Sequence, residues 1–228
     1  MKKVQEHSAE DAFIREIDEE IKNDRIKKLW DQYGLFIILF VIVAVSAAVS
    51  YETFKSWNEK RNQQYSNSYA YALNLQNQGR YAESLEVLEQ MKKADNGVYS
   101  DVAEIQIANI LVDQGKTDEA VKILEEVVNK KSFNKQMRDV AVIKLASYKL
   151  DTAPGEEIRA LIAPYAESEN SWTNIARELL AMLAVRDADF AQAKKLYNDI
   201  ANSASATESL KARAKDMLAT LNEVSEKQ

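Results

Sequence analysis

Hydrophobic and polar residues follow two different rhythms along this chain. From Gln32 to Tyr51 the pattern is a block. Its centre reads Gly34-Leu35-Phe36-Ile37-Ile38-Leu39-Phe40-Val41-Ile42-Val43-Ala44-Val45, and no Asp, Glu, Lys, Arg or His interrupts it. At about 1.5 Å rise per residue, roughly 20 helical residues cross the ~30 Å hydrocarbon core of a bilayer. The block therefore predicts a transmembrane helix over 32–51. After Tyr51 the apolar positions recur at i, i+3, i+4 and i+7, the rhythm of amphipathic helices. They fall into pairs of stripes. The first stripes are Tyr69, Ala72, Leu73 and Leu75; Ile105, Ala108, Leu111 and Val112; Val142, Leu145 and Ala146; and Leu179, Leu180, Leu183 and Ala184. Each is followed across a polar break by a second: Tyr81, Leu85, Leu88 and Met91; Ala120, Leu124, Val127 and Val128; Ile158, Leu161, Ile162 and Tyr165; and Ala193, Leu196, Tyr197 and Ile200.

The breaks resemble one another. Gln78-Gly79-Arg80-Tyr81-Ala82-Glu83-Ser84-Leu85 is echoed by Gln114-Gly115-Lys116-Thr117-Asp118-Glu119-Ala120-Val121, and again by Arg186-Asp187-Ala188-Asp189-Phe190-Ala191-Gln192-Ala193. The spacing is about 36 residues, the size of a helix hairpin repeat. Thr152 to Ile158 occupies the intervening register, with Pro154 and Gly155 as its turn. The turn glycines suit the positive φ that ends a first helix. Thr117 is expected to cap a second helix, with Asp118 and Glu119 at the positive end of its dipole. Ser205 with Glu208 has capping-box spacing. It would start a last helix, carrying Leu210, Ala214, Met217, Leu218 and Leu221, that covers the open end of the stack. One such hairpin cannot bury its apolar face alone, so stacked hairpins share a continuous core. The expected fold class is all-α. The organisation is a charged tail over 1–31, a span over 32–51 and a helical repeat domain over 52–228.

Composition agrees with helices. Five Gly and two Pro in 228 residues are too few for the many turns of a β protein. A net charge of -6 argues against nucleic acid as a partner. The lack of cysteine removes disulfides and thiolate metal sites, and it suits an oxidising compartment. The long acidic stretch before the span fits an uncleaved signal anchor better than a signal peptide, although Ser46-Ala47-Ala48 has the small residues of a cleavage site. Tyr33 and Tyr51 bracket the span and Trp30 and Trp57 lie further out, as aromatic residues do at the headgroup boundary. Arg15, Lys22, Arg25, Lys27 and Lys28 before the span outnumber Lys55, Lys60 and Arg61 after it. That bias puts the N-terminus in the cytoplasm and the large domain across the membrane. In the tail, Ser8 and Asp11 have capping-box spacing, and Phe13, Ile14, Ile17 and Ile21 form a stripe. Two readings fit it: a helix that contacts a partner or the lipid surface, or a plain extension of the span. Ala44 and Ala48 have the small-xxx-small spacing that lets transmembrane helices approach closely.

The pattern Gly79, Tyr81, Ser84; Gly115, Thr117, Ala120; Ala188, Phe190, Ala193, with small residues at Ala72, Ala108 and Ala181, resembles tetratricopeptide repeats. The usual Trp and the Pro between repeats are absent, and the third repeat is irregular. The whole plan is similar to the YfgM-type ancillary subunits of the Sec translocon: an acidic tail, one span, Trp57-Asn58 and four degenerate repeats. The segment Ala176 to Leu221 fits that family best, where Ala176-Arg177-Glu178-Leu179-Leu180 leads to Asp189-Phe190-Ala191-Gln192-Ala193. The resemblance implies a bacterial inner-membrane protein with its N-terminus in the cytoplasm and its repeats in the periplasm. It also implies association with the Sec translocon, with periplasmic chaperones and with newly exported client proteins.

No catalytic constellation is visible. The sole imidazole, His7, lies in the tail, which removes Ser-His-Asp, Cys-His and His-rich metal schemes. Glycines are scattered singly, so no phosphate loop forms. Glu125-Glu126 and Glu156-Glu157 point in different directions on a helix and fit a solvated face. Enzyme activity, cofactor, metal and small-molecule substrate are therefore not expected. In a curved stack the first helix of each hairpin lines the concave side. Aligning on the turns, the inward positions are Tyr69, Leu73 and Gln76; Ile105, Asn109 and Val112; Val142, Ala146 and Lys149; and Glu178, Met182 and Val185. This row either forms a groove for an extended or helical client segment or belongs in part to the core. Asn109 stands where a carboxylate clamp has an Asn, but Tyr69 and Leu73 replace its other polar partners. Two further readings stay open. The repeats could serve as a cytoplasm-facing receptor or scaffold, or the span could regulate a larger membrane protein.

Overall fold

The computed structural model describes the backbone of residues 2–94 and 97–226, and side chains over 27–94 and 97–223. Within these limits the chain is all-helical, with no strand among the described residues. The order is α1 (Lys2–Asn77), α2 (Tyr81–Lys93), α3 (Val98–Asp113), α4 (Thr117–Asn129), α5 (Lys135–Lys149), α6 (Gly155–Glu167), α7 (Thr173–Arg186), α8 (Phe190–Ala201) and α9 (Glu208–Glu226). The chain divides into two compact units, Met1–Gln63 and Gln64–Gln228. Residues 52–63, which the hydropathy pattern groups with the repeats, thus belong to the first unit.

In the first unit the apolar block is helical and bare. Large apolar side chains from Leu29 to Trp57 are exposed, Phe36 at 69% and Phe40 at 74% among them. The helix is long and apolar enough to cross a membrane. Trp30 lies against Gly34, where an added Cβ would meet the indole at 3.4 Å. Beyond the block, Thr53 Oγ1 donates to the carbonyls of Val49 and Ser50, so its hydroxyl is satisfied within the helix. The Arg61 guanidinium lies 4.5 Å from the Trp57 ring centroid and donates to Asn58 Oδ1 at 2.7 Å. Trp57-Asn58 is therefore part of a local aromatic–cation cluster. The tail stripe and the Ser8–Asp11 pairing lie outside the described side chains.

In the second unit the end of α1 pairs with α2, α3 with α4, α5 with α6 and α7 with α8, and α9 covers α8. The turns explain the pairing. At Gly79, φ is +73°; the Gly79 N–H donates to Gln76 O at 2.9 Å and the Arg80 N–H to Leu75 O at 2.9 Å. Gly115, at φ +77°, repeats this with Val112 O and Leu111 O. These are Schellman ends, in which a left-handed residue lets the chain turn back and satisfies the last carbonyls. The fourth hairpin makes the same pair of bonds with a non-glycine, Ala188 at φ +59°. The third turn differs, with no left-handed residue. Pro154 precedes α6, and the Leu150 and Ala153 carbonyls accept Arg186 Nη1 at 2.6 and 2.8 Å.

Two capping expectations are corrected. Thr117 is the first residue of α4, not its cap; Lys116 holds that position without a side-chain bond. Thr207, not Ser205, caps α9, its Oγ1 accepting the Leu210 N–H at 3.3 Å. Ser205 instead accepts from Asn174 Nδ2 at 3.0 Å.

Three apolar clusters run in chain order. The first joins the end of α1 to α2–α5 around Leu88, Ile110, Leu124 and Val127. The second centres on Ile158, Ile162 and Leu183, and the third on Tyr197, Ile200, Leu210 and Ala214. The helix α3 is buried on nearly all sides, which its one-stripe pattern did not indicate. Its Glu104 is only 4% exposed and lies between Lys92 Nζ at 3.4 Å and Lys130 Nζ at 3.3 Å.

Candidate functional site

The row of inward-facing residues divides into core and surface. Val142 and Ala146 are buried in the apolar clusters, Ala146 completely, and Ile105 is buried too but keeps an edge on a pocket shared with Tyr69. Lys149 is also taken up structurally. It pairs with Glu125 Oε1 at 2.7 Å and with Glu157, and these bonds raise its pKa, Glu125 contributing most. That occupies one acid from each of the doublets noted above. Leu73, Val112 and Val185 are half-buried beside the cores.

Tyr69, Gln76 and Asn109 form part of one surface. Tyr69, Ile105 and Asn109 line a shallow pocket of about 200 Å³ with Val102, Gln106, Met137, Val140 and Lys144. Side-chain amides run beside it as a bonded row. Gln76 Nε2 donates to Asp113 Oδ2 at 2.8 Å, and Gln106 Nε2 donates to Gln76 Oε1. Asn109 Nδ2 donates to Gln106 Oε1 at 2.8 Å, and Tyr148 OH donates to Asn109 Oδ1 at 3.3 Å. Burial raises the pKa of Tyr69. It lowers that of Lys144, opposed by the charge of Asp113. The Lys144 ammonium sits 5.9 Å from the Tyr148 ring centroid.

Glu178 and Met182 line a second pocket of about 460 Å³ between α7, α8 and α9, with Tyr197, Arg213, Asp216 and Met217. Glu178 takes a bidentate pair from Arg213, both bonds 2.9 Å, at the rim. Met182 is 43% exposed there. Methionine adapts its shape and tolerates varied apolar contacts. Two further hollows have mixed walls: one of about 770 Å³ at the start of α7, lined by Asn170, Thr173, Asn174 and Arg177 among others, and one of about 470 Å³ beside Pro164, Tyr165 and Trp172.

Sequence reasoning missed Met137, Val140 and Lys144 on α5 and Arg213 and Met217 on α9. Alignment on the turns counts back from each hairpin end, whereas these residues enter from the helix of the next repeat. Lys144 carried a legible signal, a lone cation within the apolar run Val140 to Ala146. Among the described residues there is no group of three or more His, Asp or Glu placed to hold a metal ion.

Ala44 and Ala48 lie in the bare apolar part of α1, both exposed. This geometry offers shallow, partly apolar surfaces for another polypeptide and a long apolar helix for lipid. A search of curated proteins returns no match to this chain. The tetratricopeptide repeat-like domain family matches residues 27–223, the apolar helix and the hairpins together, and by that match the chain belongs to this family.

Proposed function

We propose that this protein is a membrane-anchored adaptor whose repeat domain faces the periplasm and binds other proteins beside the Sec translocon, assisting newly exported chains. The observation that carries the binding role is the pair of open pockets, about 200 and 460 Å³, on a stack of hairpins of this family. Shallow pockets with apolar walls and a few polar groups suit segments of polypeptide. Anchoring is supported by the bare helix from Leu29 to Trp57 with aromatic residues at both ends. The periplasmic side is supported by the excess of Lys and Arg before the span. The translocon and chaperone association is supported by the resemblance carried by Trp57-Asn58 and Ala176 to Leu221.

Two experiments test this reading. Protease added to spheroplasts should cleave the repeats, and inverted inner-membrane vesicles should protect them; the opposite pattern would make the protein a cytoplasm-facing receptor. Photocrosslinkers at Tyr69 and Met182 should capture exported chains. Tyr69→Ala with Met182→Ala should reduce capture of clients and leave membrane partners bound. Ala44→Leu with Ala48→Leu should release any partner held through the span; unchanged co-purification would remove the span from the binding surface.

A further inference from the structure

Lys144 is the informative residue of the repeat domain. The lysines nearest to it in kind have partners: Lys92 and Lys130 share Glu104, Lys135 meets Asp139, and Lys149 holds Glu125 and Glu157. Lys144 is half-buried, lines the 200 Å³ pocket, and has no salt bridge or hydrogen bond among the described residues; its near contact is the Tyr148 ring. Asp113 acts on Lys144 by its charge, but it accepts from Gln76 and makes no salt bridge to the ammonium; the cost of burial outweighs its effect, and an incoming anion in contact with the ammonium would offset that cost. The walls around it are apolar: Ile105, Met137 and Val140. The pocket is smaller than the ~300–1,000 Å³ typical of small-molecule sites and fits one side chain.

The amide row supplies the third element. Gln76 and Asn109 each have one side-chain N–H engaged in the row. A primary amide has two, so one on each is left for a carbonyl of a ligand. Both residues are half-buried, and they lie on α1 and α3. An extended chain laid across the two helices could meet both through its main chain, which every sequence carries.

We infer that the surface formed by the end of α1, α3 and α5 binds an extended polypeptide segment through its main chain, with an aliphatic side chain in the pocket and an adjacent Asp or Glu side chain paired to Lys144. This rests on the adaptor reading and specifies which segments it takes. The acid belongs to the interior of a segment and not to its C-terminus: the pocket presents one cation, whereas Tyr69 and Leu73 stand where a terminal-carboxylate clamp needs more polar partners.

The test uses the full-length protein in detergent micelles and short fluorescent peptides, acetylated and amidated, in a Gly-Ser background carrying Leu followed by Glu, Gln or Lys. Anisotropy should rank binding Glu, Gln, Lys. Lys144→Met should weaken the Glu peptide by roughly tenfold and leave the Gln peptide unchanged, since a half-buried charge pair is lost. Lys144→Glu should reverse the order, with thermal melting showing that both variants fold. Equal binding of all three peptides, an order unaffected by Lys144→Glu, or no binding to the wild type would each overturn the inference. So would binding that appears only when the C-terminal carboxylate is free. Client crosslinking in membranes separates the two readings. Crosslinks that persist while the peptide ranking fails refute this site and leave the adaptor standing; absence of crosslinks in the wild type refutes the adaptor.

Discussion

At the scale of single residues, three hairpins end with the same backbone geometry but not the same residue. Gly79 and Gly115 take a positive φ at no steric cost, whereas Ala188 places a Cβ in that conformation. Gly115→Ala should therefore lower stability by about 1–2 kcal/mol. Ala188→Gly should change it by less than about 1 kcal/mol and in the stabilising direction, because relief of the left-handed strain outweighs the added freedom of the unfolded chain. Urea denaturation of both variants checks the signs. Asn134 gives a second test. Its Oδ1 accepts the N–H groups of Gln136 at 2.9 Å and Met137 at 3.3 Å, so Asn134→Ala should cost about 1 kcal/mol. Glycine turns were legible because their requirement is local. The caps were less so. Thr117 and Ser205 have capping chemistry, but the frame in which each helix starts is set by packing and by neighbours such as Asn174, which engages Ser205.

At the scale of elements, the third hairpin replaces a left-handed turn with a side chain from the next repeat. The Arg186 fork reaches back to Leu150 O and Ala153 O and also pairs with Asp187, which accepts from Arg159 as well. Arg186→Ala should loosen the α5–α6 turn, seen as faster amide exchange over 150–154. Arg186→Lys should not rescue it, since an ammonium lacks the planar fork. On the same hairpin, Tyr165 OH donates to Asp139 Oδ1 at 2.7 Å. Burial, then the hydrogen bond and charge of Asp139, push its pKa up to about 12. A phenol whose folded pKa lies above its unfolded value contributes stability that is whole below about pH 10 and is lost as pH rises through 10 toward 12. The stability gap between wild type and Tyr165→Phe, about 1 kcal/mol at neutral pH, should thus shrink on alkaline titration. The stripes placed α2 to α9 and the end of α1, because a period of 3.6 needs no knowledge of neighbours, but not the unbroken run of α1 from the span to Asn77. They could not show that α3 is enclosed on most sides, or that Val142 and Ala146 are core while Ile105 also edges a pocket. Those facts depend on which helix comes to lie alongside, and an apolar residue reads alike on a groove and in a core.

At the scale of the whole molecule, the legible features were the all-helical plan, the apolar span and the hairpin stack with a covering helix. The binding surface was legible only in outline, since part of each pocket comes from a helix one repeat further on. The role of α9 can be tested directly. It contributes Leu210, Ala214 and Leu221 to the third cluster, against Tyr197 and Ile200 of α8. A chain ended after Asn202 would leave those side chains in water, and stacked repeats need a covering element for solubility. Sedimentation of the truncated, detergent-extracted protein should show larger species than the full chain gives under the same conditions.

The three cores also lie in the order of synthesis, each built from helices that are neighbours in the chain. Contacts of short sequence separation form fast, because little loop entropy is lost before they are gained. The first hairpins can therefore close while later ones are still being made, and none of the first core waits for α9. The stack can thus assemble in the order of its helices, with α9 closing the third core only after α7 and α8 are in place.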